Sequence, residues 1–166
     1  GPVGVKPRPF IVKVATEVVC KNGVNAEEEN IEKIFKDVDL QTANDILPFL
    51  KVLPCIISFI KECHEQGVQL GVVTTDITER GRKALQALEI ENYFQYIIGG
   101  DQVINPKPAS DSVDIILEQS GIGRDKIAVI GDHAVDLEMG ISSKIGCNIG
   151  VLTGLGTRES FSPHTC

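Results

Sequence analysis

A threonine pair, a lysine and two aspartates each follow a short apolar run in this chain. Thr74 and Thr75 close VQLGVVTT, Lys107 lies in NPKPAS, and Asp132 and Asp136 frame GDHAVD directly after KIAVIG. A hydroxyl beside free amides at a helix start can hold phosphate oxygens. A lysine ammonium can neutralise the charge that develops in a transition state. Two carboxylates four residues apart can share a cation and a lysine. The glycines near these residues let backbone come close to a ligand. Taken singly, each has a plainer reading: a turn hydroxyl, a surface lysine, an aspartate capping a helix.

The elements that must hold these residues alternate. Residues 68–74, 96–98, 126–131 and 147–152 are short, β-branched and apolar, and read as strands. Between them, residues 79–88, 110–119 and 134–142 read as helices. Apolar strands alternating with helices imply a parallel, doubly wound sheet covered on both faces. Each residue singled out above then stands just past the carboxyl end of a strand, where open parallel sheets bind ligands.

Before residue 68 the pattern differs. Residues 1–9, with Pro2, Pro7 and Pro9, read as an extended leader. Residues 10–22 fit a helical face through Ile11, Val14, Val18 and Val19, stopped by Asn22-Gly23. Their β-branched content also fits a strand. Asn25 is expected to open a helix with Glu27, Glu28 and Glu29 in its first turn and Ile31, Ile34 and Phe35 as its stripe. Residues 45–66 are expected to be mostly helical, with a break near Pro54.

Composition excludes several function classes. The chain has 166 residues, 42% of them hydrophobic and 23% charged, with a formal net charge of -7. That suits one domain with a real core, or one domain and a small appendage. No Lys/Arg cluster could follow a nucleic-acid backbone, and no apolar run spans a membrane. Five cysteines without CxxC spacing read as reduced thiols, several of them buried, in a cytoplasmic protein.

In order and spacing, residues 68–157 resemble the core of the haloacid dehalogenase (HAD) superfamily, in its phosphoglycolate-phosphatase-like branch. VQLGVVTTD is similar to the strand of motif II, GGDQVINPKPASD to the loop of the motif III lysine, and AVIGDHAVDLEMG to motif IV. The resemblance implies a Rossmannoid three-layer α/β/α fold with a partial helical cap on the N-terminal side. It divides the chain into leader 1–9, cap 10–47 and core 48–166. It implies Mg2+-dependent hydrolysis of a small phosphorylated metabolite. Thr74, Thr75 and Lys107 would bind the phosphate. Asp132 would ligate the metal, and Asp136 would support the metal site or orient Lys107. His133, inside motif IV, is expected to be bland.

One part of the family pattern is not found. Motif I, a strand ending in DxDGT, carries the aspartate that attacks phosphorus. Only Asp37-Val38-Asp39 offers a DxD with a threonine close behind, and residues 30–36 before it read as helix, not strand. In FIVKVAT (10–16), Lys13, Ala15 and Thr16 stand where acids are needed. A parallel sheet short of its central strand leaves amides unpaired, at roughly 1–3 kcal/mol each. The expectation is therefore that residues 10–16 fill that place as a substitute strand, or that chains exchange segments as homo-oligomers. The family also continues to a further strand where this chain runs FSPHTC, so both ends read as trimmed. Two functions stay open: a phosphatase lacking its nucleophile in this chain, or a catalytically inactive HAD-like binding or assembly module.

Overall fold

A computed structural model of the chain describes residue 6 and residues 8–42 and 46–163. They belong to two compact units, Gly1–Ile97 and Ile98–Cys166.

The first unit begins with α1 (Arg8–Lys21) and α2 (Glu28–Thr42). Pro9 lies in the first turn of α1, where a missing N–H leaves no bond unmade. Asn22 donates back to the Val18 and Val19 carbonyls, and Gly23 turns the chain at φ 85°. The two helices pack together, with Val12 and Ile31 buried. Asp39 of α2 accepts from Arg8 Nη2 at 2.5 Å, and Arg8 lies over the Phe35 ring, 4.8 Å from its centre.

Next come α3 (Ile56–Glu65), β1 (Leu70–Val73), α4 (Thr78–Ala87) and β2 (Phe94–Ile98). Strand β1 pairs with β2. Gly67, at φ 77°, closes α3 by donating to His64 O, and Val68 N reaches Cys63 O. A left-handed residue of this kind satisfies carbonyls that the helix end would leave unpaired. Leu85, Ile90 and Ile97 form the core here, with Ile57, Ile60, Val72, Leu88, Tyr93 and Phe94 against them. Burying each such side chain contributes about 1.5–3 kcal/mol before entropy is set against it.

The second unit holds α5 (Asp111–Ser120), β3 (Ala128–Gly131), α6 (Ala134–Ser142), β4 (Cys147–Gly150) and α7 (Arg158–Phe161). Strands β3 and β4 are parallel, with Ala128 opposite Cys147 and Gly131 opposite Gly150. Helix α6 connects them and packs on both, with Leu137 and Met139 buried. It lies so close that a Cβ on Gly140 would stand 1.8 Å from Asn148 Oδ1. Arg124 ties the unit together. Its guanidinium donates to Ser143 O at 2.6 Å and to Asp114 Oδ1 at 2.8 Å, and its own carbonyl accepts from Gly146 N.

Several expectations are corrected. Residues 10–16 form no substitute strand, because they lie inside α1, where proline at the start and Asn-Gly at the end favour a helix. Helix α2 starts at Glu28, with Glu27 O taking its first bonds, so Asn25 stands outside it; Ile34 is exposed. The helix expected over residues 45–66 is confined to 56–65 in the described residues. Leu47–Phe49 is one 3-10 turn around Pro48, residues 51–53 are irregular, and Cys55 takes φ 63° just before α3. Asp45 lies outside the described residues. The cysteines expected to be buried are not: Cys20, Cys55 and Cys147 are exposed and Cys63 is half-buried, all of them free. Cys166 lies outside the described residues.

Candidate functional site

Glycine makes room for both aspartates that follow β3. The strand ends in Gly131, and a Cβ there would lie 2.2 Å from the Asp136 Cβ and 2.6 Å from its Cγ. The chain then passes through Asp132 and His133 into α6. Asp136, one turn into the helix, folds its carboxylate back over this turn. Its Oδ2 accepts from His133 N at 3.1 Å, while His133 Nδ1 accepts from Val135 N at 3.3 Å. Together these bonds close a capping box, in which orphan amides of the helix start are satisfied by side chains. His133 is thus the cap of α6.

The other oxygen of Asp136 meets the lysine. Lys107 Nζ donates to Asp136 Oδ1 at 2.8 Å, and each side chain is only 12% exposed. A largely buried lysine and aspartate at this distance hold each other in place. The segment leading to Lys107 is itself anchored. Asp111, the first residue of α5, accepts from Asn105 N at 2.9 Å, and Pro106 O accepts from Ala109 N at 3.1 Å. The Lys107–Pro108 peptide is cis.

Asp132 behaves differently. It is exposed, and its carboxylate takes no hydrogen bond from the described residues, while its carbonyl accepts from Gly156 N at 2.7 Å. Gly154 and Gly156 belong to the loop after β4, which the parallel pairing of β3 and β4 sets beside the loop after β3. The second unit therefore brings three of the sequence-picked residues to one place: a lysine, the carboxylate that grips it and a second carboxylate left open.

Thr74 and Thr75 follow β1 in the first unit. Thr74 Oγ1 accepts from Asp76 N at 3.1 Å, and Asp76 Oδ1 accepts from Ile77 N at 2.8 Å. The Thr74 hydroxyl is thus engaged in the turn before α4, the plainer role weighed for it. Arg80 of α4 reaches Asp76 Oδ2 at 3.4 Å and Asp39 Oδ1 at 2.6 Å. Asp39, the second acid of the only DxD, is therefore shared between Arg8 and Arg80, and Asp37 is exposed on α2. Sequence reading missed both this bridge and Arg124, because the partners lie far apart in the chain and no motif announces them.

The sequence profile of haloacid dehalogenase-like hydrolases matches residues 8–149. The chain belongs to that family. Among curated relatives, the phosphoglycolate phosphatase of Escherichia coli K12 is 30% identical over 111 residues, which cover 66% of this chain and 43% of that protein. Pyrophosphatase PpaX of Halalkalibacterium halodurans is 31% identical over 96 residues, 58% of this chain and 42% of its own. The chain thus spans less than half the length of these relatives. Solved structures share the HAD fold. A predicted phosphoglycolate phosphatase from Haemophilus somnus superposes with TM-score 0.85 at 18% identity, over 95% of this chain and 72% of the other. A hydrolase from Pseudomonas syringae does so at 0.72 and 17%, over 99% and 73%. The α/β Rossmannoid fold of the HAD-like hydrolases is therefore this chain's fold, in the phosphoglycolate-phosphatase-like branch. No helix among the described residues is long and apolar enough to cross a membrane.

The HAD-like hydrolases are expected to use Mg2+. Among the described residues, no three His, Cys, Asp or Glu side chains gather as a metal cage. Mg2+, however, is usually held by one or two carboxylates with water and substrate phosphate completing its shell. Asp132 fits that sparser arrangement as a single hard-oxygen donor, exposed and without a competing hydrogen bond. Asp136 is already engaged at each oxygen, accepting from Lys107 Nζ at Oδ1 and from His133 N at Oδ2.

Proposed function

We propose that this HAD-like hydrolase carries the phosphate-binding and metal-supporting part of a phosphomonoester phosphatase, acting on a small phosphorylated metabolite with Mg2+. The observation that carries the reading is the 2.8 Å Lys107–Asp136 pair beside the unbonded Asp132 carboxylate. Lys107, held by Asp136, presents an ammonium to the phosphoryl oxygens. Asp132 offers its free carboxylate to the cation. Mg2+, when bound, supplies charge neutralisation at phosphate oxygens. Asp136 positions Lys107 and contributes no metal ligand. Thr74 and Thr75 carry the phosphate-binding hydroxyls of this reading on their sequence motif. The same reading makes α1 and α2, within residues 10–47, a partial cap, and places the protein in the cytoplasm.

The nucleophile is the missing piece. Asp37 lies on an exposed helical surface, not at a strand end, and Asp39 is held by two arginines. That favours a second reading, in which the chain binds phosphate and metal without turning a substrate over.

Turnover of a chromogenic phosphate monoester with Mg2+, together with calorimetric binding of inorganic phosphate, tests both. Turnover lost in Lys107→Ala supports the phosphatase. Phosphate binding without turnover, lost in the same variant, supports the binding module. Neither binding nor turnover would remove the phosphate assignment from Lys107.

A further inference from the structure

Gly154 touches the open carboxylate. A Cβ built on it would lie 1.6 Å from Asp132 Oδ2, 2.4 Å from Cγ and 2.7 Å from Cβ. Its backbone is not left-handed, since the positive-φ glycines among the described residues are Gly23, Gly67 and Gly121. Conformational freedom therefore does not explain a glycine at 154; the close approach does. Rotating the aspartate about its Cα–Cβ bond would not relieve the contact, because the Cβ itself is too near and does not move in that rotation. Two residues on, Gly156 N donates to Asp132 O at 2.7 Å. The loop after β4 thus holds the Asp132 backbone with an amide and leaves a bare Cα against its side chain.

We infer that Gly154 is a positioning residue for Asp132. Nothing hydrogen-bonds the Asp132 carboxylate among the described residues, so the contour of the 153–156 loop, packed against Oδ2, is what sets its direction. The inference rests on the reading of Asp132 as the metal ligand. An alanine at 154 has an accessible φ, but its Cβ would push Asp132 aside and displace the carboxylate, and displaced ligands of this kind weaken metal affinity by about 10–100-fold.

Mn2+ serves as the probe, its binding followed by water-proton relaxation in the full chain. Wild type, Asp132→Asn, Gly154→Ala and Gly140→Ala are compared. Gly140→Ala is the structural control: it sets a Cβ against Asn148 in the same unit and touches neither aspartate. The expected result is weaker binding by about tenfold or more in Gly154→Ala, none in Asp132→Asn, and near wild-type affinity in Gly140→Ala. Wild-type affinity in Gly154→Ala, or an equal loss in Gly140→Ala, overturns the role of Gly154 and leaves Asp132 as a ligand. Binding that Asp132→Asn leaves intact, or no wild-type binding at all, overturns the ligand reading and Gly154's role with it. Should Gly154→Ala fail to fold, the double variant with Asp132→Gly lacks all three of the close side-chain atoms and is expected to recover. Failure to recover would show that the contact is not what Gly154 serves.

Discussion

Lys107 and Asp136, 29 positions apart in sequence, meet at 2.8 Å with both side chains largely shielded from solvent. Asp136 also holds the first turn of α6 through His133 N. One carboxylate thus binds the lysine and starts the helix, and the two partners should not be equivalent when removed.

Asp136→Ala leaves Lys107 buried without its carboxylate and strips the cap from α6. Breaking such a pair costs about 3–5 kcal/mol, a fall in Tm on the order of 10 °C for a chain of this size. Lys107→Met leaves Asp136 at the helix amino terminus, still accepting from His133 N, and should cost about 1–2 kcal/mol. Thermal melts of both variants check the order. Equal losses would mean that the carboxylate is not the hub.

Asp37→Asn and Asp39→Asn test whether the DxD segment does chemistry. Neither is expected to change phosphate binding or any phosphatase turnover. Asp39→Asn should instead destabilise the first unit by about 1 kcal/mol, because Arg8 and Arg80 lose their shared anion. Loss of turnover in Asp37→Asn with the fold intact would reinstate it as a nucleophile.

Asp114 gives a pH signature. The Ser110 hydroxyl, and after it Arg124, holds its carboxyl below the ordinary value, against the raising effect of burial. A depressed folded pKa stabilises above the unfolded value, about 3.9, and that stability is lost as pH falls through the folded one. Asp114 is 43% exposed, so screening keeps the effect to roughly 0.2–1 kcal/mol. Urea denaturation should find Asp114→Asn less stable than wild type at pH 7, with the gap closing once pH drops well below 4.

Phe161 should matter more than its place near the end of the chain suggests. It is buried, and Cβ atoms on Gly150 and Gly156 would stand 2.6 Å and 2.0 Å from its ring. Phe161→Ala is expected to cost about 3–5 kcal/mol and to loosen the loop that carries Gly154. Faster amide exchange at residues 153–157 would report it.

Much of the second unit was readable because its signals are local. KIAVIG and CNIGVL alternate with a helix that a GDxxxD turn begins, and β3, α6 and β4 fall at 128–131, 134–142 and 147–150. Residues 10–22 were ambiguous because β-branched composition and a helical stripe coincide there. Pro9 and Gly23 settle that contest locally for a helix. Of the helix expected over 45–66, with its break near Pro54, the described residues 46–55 form no α-helix, because Pro48 as well as Pro54 interrupts the backbone ladder. Helix α7 gave too short a signal to be picked out.

The order of side chains along the sequence determined which groups lie past strand ends: the threonine pair, the lysine and two aspartates. Their chemistry is local, and a strand followed by a turn places them wherever it folds. Only tertiary structure decided how the two aspartates divide their work. Asp136 turns inward because a lysine 29 residues away and a helix amide claim its two oxygens, while Asp132 stays open because a glycine 22 residues on leaves space beside it. Those are contacts between distant segments, set by the packing of α6 and two parallel strands, and no spacing rule encodes them.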